Sequence, residues 1–260
     1  MAKRTPLGMR LDEVRERIAA AAIKAKREPA DVTLIAVTKS ASPEQIREIL
    51  QLGVGDLGES RVQFLTQRAA QVNEFHQRRV IMGEGGPAPK VRWHMIGHLQ
   101  RNKVRALLPL VSVIHSIDSL RLAEEIDLQA ARIDRRIPVL LEINAAEEPQ
   151  KHGVAVGAAI HLAEQLDSMP NLQFVGLMSM APFDAAEAVV RRVFARTFEI
   201  FEELKWHKIG GASLRHLSMG MTNDFEAAIA EGATMVRIGT ALFGGKVLDH
   251  EEIEEKEPSP

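Results

Sequence analysis

A lysine at the end of a short apolar run is the first residue whose type and place suggest chemistry. Residues 33–38 form an apolar run of strand type, and Lys39 follows it directly. Lys39 lies on the same side of this strand as Ile35 and Val37, which would face a packed interior. A lysine that loses part of its hydration favours the neutral amine, which attacks aldehydes. Taken alone this evidence is weak, since a lysine at a strand end is more often a solvated charge.

Two later segments combine hydroxyl groups, glycines and one guanidinium. Residues 217–221 read Leu-Ser-Met-Gly-Met, and residues 236–240 read Val-Arg-Ile-Gly-Thr. Glycine lets the backbone approach an anion closely, and a helix that starts just beyond adds unpaired N–H donors. The pattern favours a phosphate site, near which Arg237 could also face a ring nitrogen and keep it unprotonated. The alternative is that Gly220 and Gly239 only turn strands into loops and that Arg237 forms a surface ion pair.

The elements that must position these residues alternate between strand and helix patterns. After a helical opening at 9–27, eight strand candidates occur at 33–38, 55–59, 92–96, 111–117, 138–144, 172–180, 213–219 and 235–239. Helical patterns fall between them, for example at 120–133, 156–169, 185–204 and 223–231. This rhythm predicts an α/β protein with a single (β/α)8 TIM barrel, the alternative being a doubly wound open sheet. In such a barrel the strand ends meet at one mouth, and phosphate binds after strands seven and eight.

Composition narrows the classes of function. The 260 residues suit one barrel, and a net charge of −2 gives no basic field for nucleic acid or a membrane surface. The chain has no Cys and no Tyr, which removes disulfides, thiolate nucleophiles and phenolic acid–base groups. We find no secretory signal and no apolar stretch of membrane-spanning length, so we expect a cytoplasmic protein.

Several short motifs, taken in order, resemble the pyridoxal phosphate homeostasis proteins. They occupy residues 35–39, 58–63, 93–97, 99–103, 115–118, 151–153, 176–178, 217–221 and 234–240. The ordered set runs from the first predicted strand to the eighth, and it is far more specific than any one of its members.

The resemblance implies a barrel like the N-terminal domain of alanine racemase, without the C-terminal β-domain, that binds pyridoxal 5′-phosphate (PLP). Lys39 would form a Schiff base with PLP, and Arg237 would face the pyridine nitrogen and the phosphate edge. The residues implied to hold or line the phosphate are Ser218, Met219, Gly220, Gly239 and Thr240.

The sequence departs from the family's usual pattern at two positions. Ser60 stands where Asn usually follows Gly-Glu, and His152 stands where Ser usually lies between Lys and Gly. We still count Ser60 among the cofactor-binding residues, although it lacks the amide. His94 and His115 are interpreted as packed, hydrogen-bonded core groups, and the scattered histidines show no metal-ligand pattern, so no metal site is predicted.

Two functions share Lys39. The first is a non-enzymatic PLP-binding protein that buffers the cofactor or supplies it to PLP-dependent apoenzymes; the alternative is a PLP enzyme such as an amino-acid racemase. Racemization needs a base on each face of the bound substrate, and the absence of Tyr and Cys favours the first function. We further expect a monomer, with a barrel domain at 1–248 and an acidic, disordered tail at 249–260.

Overall fold

The computed structural model describes residues 5–81, 90–148, 150 and 152–244. The predicted boundary between a barrel at 1–248 and a tail at 249–260 lies outside these residues, and it stays a prediction. Among the described helices, none is long and apolar enough to cross a membrane.

Parallel strands close into a barrel. In chain order they are β1 (Thr33–Val37), β2 (Asp56–Glu59), β3 (Arg92–Met95), β4 (Val113–Ile117), β5 (Ile137–Asn144), β6 (Val154–Ala155), β7 (Leu172–Met178), β8 (His216–Ser218) and β9 (Met235–Ile238). Pairing runs β4-β3-β2-β1-β9-β8-β7-β5, and β4 also pairs with β5. That last pairing joins the two ends of the sheet, so the fold is the predicted TIM barrel and the open sheet is excluded. The two-residue β6 pairs only with the end of β5 and is not one of the strands that close the barrel.

Helices follow the strands and cover the outside of the sheet. They are α1 (Pro6–Lys24), α2 (Pro43–Gln51), α3 (Val62–Ile81), α4 (Val104–Leu107), α5 (Leu120–Ala131), α6 (Ala159–Ser168), α7 (Glu187–Trp206), α8 (Phe225–Ala230) and α9 (Thr240–Phe243). The start of α2 shows how local sequence fixes these bounds. Ser42 accepts a hydrogen bond from the backbone N–H of Gln45, whose side chain accepts one from the N–H of Ser42, and Pro43 occupies the first turn.

The core has two layers, one between the sheet and the helices and one inside the barrel, and β5 contributes side chains to both. Val139, Leu141 and Ile143 belong to the large apolar cluster between the sheet and the helices. Leu140 faces the other way and packs inside the barrel in a small cluster with Val175 and Met178. Because side chains alternate along a strand, every second strand residue points into the barrel, and there several of them are polar.

The seventh and eighth predicted strands, 213–219 and 235–239, correspond to β8 and β9, but the seventh was predicted too long. Residues 213–219 were predicted as strand, whereas Gly211–Ser213 forms a 3-10 helix and β8 begins only at His216. Gly210 precedes this turn with φ of 74°, a conformation that glycine adopts readily. The strand pattern alone gave no sign of this turn.

Candidate functional site at the mouth of the barrel

Lys39 lies at the mouth of the barrel, two residues beyond β1. The N–H of Thr38 still bonds to the carbonyl of Gly58 at 3.0 Å, so the strand alternation continues to Lys39. Ile35 is fully buried and Lys39 is exposed, as expected for a side that runs from the interior to the mouth. Partial burial, and secondarily the charge of Arg61, lower the pKa of Lys39. A lowered pKa increases the fraction of neutral amine, the form that attacks an aldehyde.

A buried ion pair fixes the segment that carries Lys39. Glu59, at the end of β2, is fully buried, pairs with Arg68 of α3 and accepts a hydrogen bond of 2.5 Å from the hydroxyl of Thr38. Arg68 also donates to the carbonyls of Lys39 at 3.2 Å and Ala41 at 3.4 Å. The backbone around Lys39 is therefore held by β2, through Glu59, and by α3, through Arg68. Sequence reasoning missed Arg68, since nothing in a helix interior marks it as a partner of Glu59.

The ends of β8 and β9 meet as predicted, next to β1. The N–H of Arg237 donates to the carbonyl of Gly220 at 3.0 Å, which joins the two segments. Gly220 has φ of 91°, and a Cβ there would lie 2.6 Å from that of Ala228, so the turn requires glycine. A Cβ on Gly239 would lie 3.4 Å from that of Val37, which places the β9 end beside the Lys39 strand.

Two threonines, not one, present hydroxyls at this corner. The hydroxyl of Thr240 donates to that of Thr222 at 3.0 Å, and the N–H of Ala241 points to the same oxygen at 3.4 Å. Thr222 was missed because it lies one residue beyond the motif at 217–221. Met219 belongs to the cluster between sheet and helices, so its side chain lies in the core and only its backbone borders the corner.

Ser218 lies inside the barrel and not at the corner's surface. Its hydroxyl is fully buried and accepts a hydrogen bond of 2.7 Å from Nη1 of Arg237, which also donates to the Ser218 carbonyl. Nη2 of Arg237 donates to the carbonyl of Ser179 at 3.1 Å. These contacts hold the guanidinium in one orientation. Burial lowers the pKa of Arg237 to about 10, so the group keeps its charge at neutral pH.

A chain of hydrogen bonds continues from Ser218 across the barrel interior. The Ser218 hydroxyl lies 2.9 Å from Nδ1 of His115, Nε2 of His115 lies 2.9 Å from Nδ1 of His94, and Nε2 of His94 lies 2.9 Å from Asp56. Arg237 can only donate and the Asp56 carboxylate can only accept. With neutral imidazoles, each group in between then accepts from the Arg237 side and donates toward Asp56. Complete burial, the nearby His94 and the charge of Arg237 hold the pKa of His115 well below its usual value, which keeps it neutral.

His94 and His115 are therefore the packed, hydrogen-bonded groups that the sequence predicted, since both residues are buried. The sequence did not show that they contact each other, or that they reach Ser218. Both ring nitrogens of each histidine are occupied, so neither is available as a base.

Ser60 and Glu142 border the mouth on other strands. Ser60 follows β2 and packs against Gly97, where an added Cβ would lie 2.8 Å from that of Ser60. Glu142, on β5, points inward, and burial together with the charge of Asp118 raises its pKa to about 7. The mouth thus holds a carboxyl group that titrates near neutral pH.

The closed parallel barrel has the architecture of the alanine racemase N-terminal domain. The family model of that domain matches residues 9–247. The chain is 37% identical over 235 residues to the pyridoxal phosphate homeostasis protein of Aquifex aeolicus, covering 90% of this chain and 96% of the relative.

Solved structures agree with this relationship. A crystal structure of a protein from Bifidobacterium adolescentis is 36% identical with a TM-score of 0.82, covering 91% of this chain and 94% of the other. PipY of Synechococcus elongatus PCC7942, solved with PLP bound, is 32% identical with a TM-score of 0.73, covering 89% of this chain and 100% of PipY. The chain belongs to the pyridoxal phosphate homeostasis protein family.

Proposed function

We propose that this protein binds PLP as a Schiff base on Lys39 and serves PLP homeostasis by holding and supplying the cofactor. One observation carries the proposal: an amine with a lowered pKa lies at the end of β1, beside the hydroxyl-rich corner formed by β8 and β9. The family relationship and the PLP bound to PipY support the same ligand.

The donor set fits the three functional parts of PLP. The Lys39 amine suits the aldehyde, and the hydroxyls of Thr240 and Thr222 suit the phosphate. The backbone at Gly239, which is half-buried, suits the phosphate as well, because glycine lets an anion approach the backbone closely. Arg237 retains its charge and is held rigidly, which suits a pyridine nitrogen that stays unprotonated. PLP supplies electrophilic aldehyde chemistry and an electron sink when it is bound.

We infer a different role for one member of this set. Ser218 was expected to hold phosphate, but its hydroxyl already contacts Arg237 and His115 inside the barrel. We infer that Ser218 acts by orienting Arg237, and that Thr222 takes the place of Ser218 among the phosphate-facing hydroxyls. Gly220, Gly239 and Thr240 keep their proposed roles, Met219 contributes through its backbone, and Ser60 borders the mouth from β2.

The visible spectrum tests the proposal directly. Purified protein should absorb as a Schiff base, and borohydride reduction followed by peptide mapping should place the pyridoxyl group on Lys39. Lys39→Ala should remove the absorbance and leave the far-UV spectrum of the barrel intact, whereas Lys24→Ala, an exposed lysine on α1, should change neither. A pyridoxyl group on another lysine would show that the site is misplaced.

We infer that binding, and not turnover, is the function of this site. The chain lacks the phenol and thiol that would act opposite Lys39, and both ring nitrogens of His94 are occupied by Asp56 and His115. His152 is the remaining candidate for a second base, since its side chain is 58% exposed at the mouth.

Hydrogen exchange at the Cα atom of an added amino acid tests whether His152 acts as the second base. Alanine and serine of both configurations, incubated with the protein in D2O, should lose little Cα–H and should not invert. Rapid exchange with inversion that disappears in His152→Ser would make the protein a racemase.

Supply to apoenzymes, a monomeric state and a cytoplasmic location are parts of the same proposal. A PLP-dependent apoenzyme mixed with the loaded protein should regain activity faster than the spontaneous release of PLP allows. A rate equal to that of release would leave buffering as the function. Light scattering after gel filtration measures the mass, which should be that of one 28.7 kDa chain.

A further inference from the structure

Two histidines and one aspartate meet at the mouth on the side away from Lys39. His98 follows β3, Asp118 follows β4 and His152 follows β5; we call these three residues the His–Asp cluster. Nδ1 of His98 lies 3.1 Å from Oδ2 of Asp118, and Nδ1 of His152 lies 4.0 Å from the same oxygen. One ligand atom from each residue lies within 4.8 Å of the other two.

We propose that the His–Asp cluster binds a divalent first-row transition-metal ion such as Zn²⁺. Two imidazoles and one carboxylate form a common protein ligand set for such ions, and they leave positions open for water or a small ligand. Ligand atoms around a four-coordinate Zn²⁺ are separated by about 3.4 Å, because each lies about 2.1 Å from the metal. The observed separations of 3.1 and 4.0 Å lie on either side of this value.

The carboxylate is held in the orientation that the cluster needs. The hydroxyl of Ser119 donates to Oδ1 of Asp118 at 3.0 Å, which leaves Oδ2 to face both histidines. Hydrogen bonds of this kind orient the carboxylate ligands of metal ions. The Asp118 side chain is only 14% exposed, so its negative charge is screened less than that of a surface carboxylate.

The rings of His98 and His152 stack against each other. The ring centroids lie 4.1 Å apart at an interplanar angle of 14°. Because the lone pairs of parallel rings do not converge, one ring must turn to bind. His152 has the room, since its side chain is 58% exposed.

The His–Asp cluster lies on a different part of the mouth from the residues proposed to hold PLP. In the barrel, β3 to β5 lie across the mouth from β1, β8 and β9, which carry Lys39 and the hydroxyl-rich corner. None of the cluster's residues is among those proposed to hold PLP, so we expect the metal to bind with or without PLP.

Equilibrium dialysis of the untagged, full-length protein against Zn²⁺ tests the proposal. One ion should bind per chain, and Lys39→Ala should bind it equally well, which excludes binding to PLP itself. His152→Ser and Asp118→Asn should each weaken binding by more than about 100-fold, a larger loss than that of an outer hydrogen-bond partner. The matched control is His161→Ser, which removes an exposed histidine on α6 and should change nothing.

Co²⁺ gives a second readout of the same site. The wild-type protein should show intense visible bands of a low-coordinate Co²⁺ centre with nitrogen ligands, and His152→Ser should lose them. The absence of a saturable site in the dialysis, or equal affinity in wild type and His152→Ser, would overturn the proposal. His152→Ser is a surface change, so loss of folding cannot produce its result.

Discussion

Nδ1 of His115 and the hydroxyl of Ser218 lie 2.9 Å apart in the interior of the barrel, although 103 residues separate them in the chain. The contact links the segment that carries Arg237 to a chain of imidazoles that ends at Asp56. Ser218 is therefore engaged within the protein, and the orientation of Arg237 depends on groups on the far side of the barrel.

The two buried histidines should be energetically coupled. His94→Leu leaves Nε2–H of His115 without an acceptor, and His115→Leu leaves the Ser218 O–H without an acceptor and Nδ1 of His94 without a donor; each should cost about 1–3 kcal/mol. The double variant leaves only the two ends of this hydrogen-bond chain, and each end keeps an arginine partner: Asp56 keeps Arg92, and Ser218 keeps Arg237. Its free energy of unfolding should exceed the additive expectation by more than about 1 kcal/mol. Urea unfolding of all four proteins measures the coupling, and additive losses would show that the chain is not a unit.

The phosphate assignment predicts that the threonine hydroxyls discriminate between PLP and pyridoxal and that the Ser218 hydroxyl does not. Thr222→Val and Thr240→Val should weaken PLP much more than pyridoxal, because each removes a charge-assisted hydrogen bond worth about 1.5–3 kcal/mol. Ser218→Ala should weaken both ligands alike, because its effect passes through Arg237. Titrations with both ligands measure the difference, with Thr66→Ala on the exposed face of α3 as the control. Selective loss of PLP in Ser218→Ala would return Ser218 to the phosphate site.

Arg61 should control the pH at which Lys39 reacts. The charge of Arg61 contributes to the lowered pKa of Lys39, after partial burial, because it disfavours a second cation nearby. Arg61→Gln should raise this pKa and move the pH profile of Schiff-base formation to higher pH. Stopped-flow absorbance with PLP across the pH range measures the shift. Arg105→Gln, a change of the same type on α4, should leave the midpoint unchanged.

Glu142 should make the PLP-free protein less stable as the pH rises. The pKa of an ordinary Glu is 4.5, whereas that of Glu142 in the folded protein is about 7. At a pH between these two values the unfolded chain has lost the proton and the folded protein still holds it. The free energy of unfolding therefore falls by about 3 kcal/mol at most as the pH rises across this window, and above the window it is constant.

Glu142→Gln removes this titration. The variant should be more stable than wild type at pH 8, and the difference should vanish below the lower end of the window. Urea unfolding as a function of pH measures it, with the exposed Glu164→Gln as control. A pH-independent difference would mean that the pKa of Glu142 is not raised by folding.

The barrel, the place of Lys39 and the meeting of two glycine turns could be predicted from the sequence. Each depends on short-range signals: the strand alternation up to Lys39, the capping of α2 at Ser42, and the turns at Gly220 and Gly239. A parallel βα rhythm with eight strands then brings the strand ends together by closure, so their proximity follows without knowledge of any side-chain contact.

Only the tertiary structure decided which side chains contact one another. Ser218 and Thr222 are four residues apart, and the direction of each determines whether it meets His115 inside the barrel or Thr240 at the mouth. The His–Asp cluster likewise requires three loops from consecutive barrel strands to converge. Side-chain direction alternates with each residue, so a one-residue change of register reverses it, and register is set by pairing between strands far apart in the chain. The sequence therefore determined where functional groups gather, and long-range packing determined which of them touch.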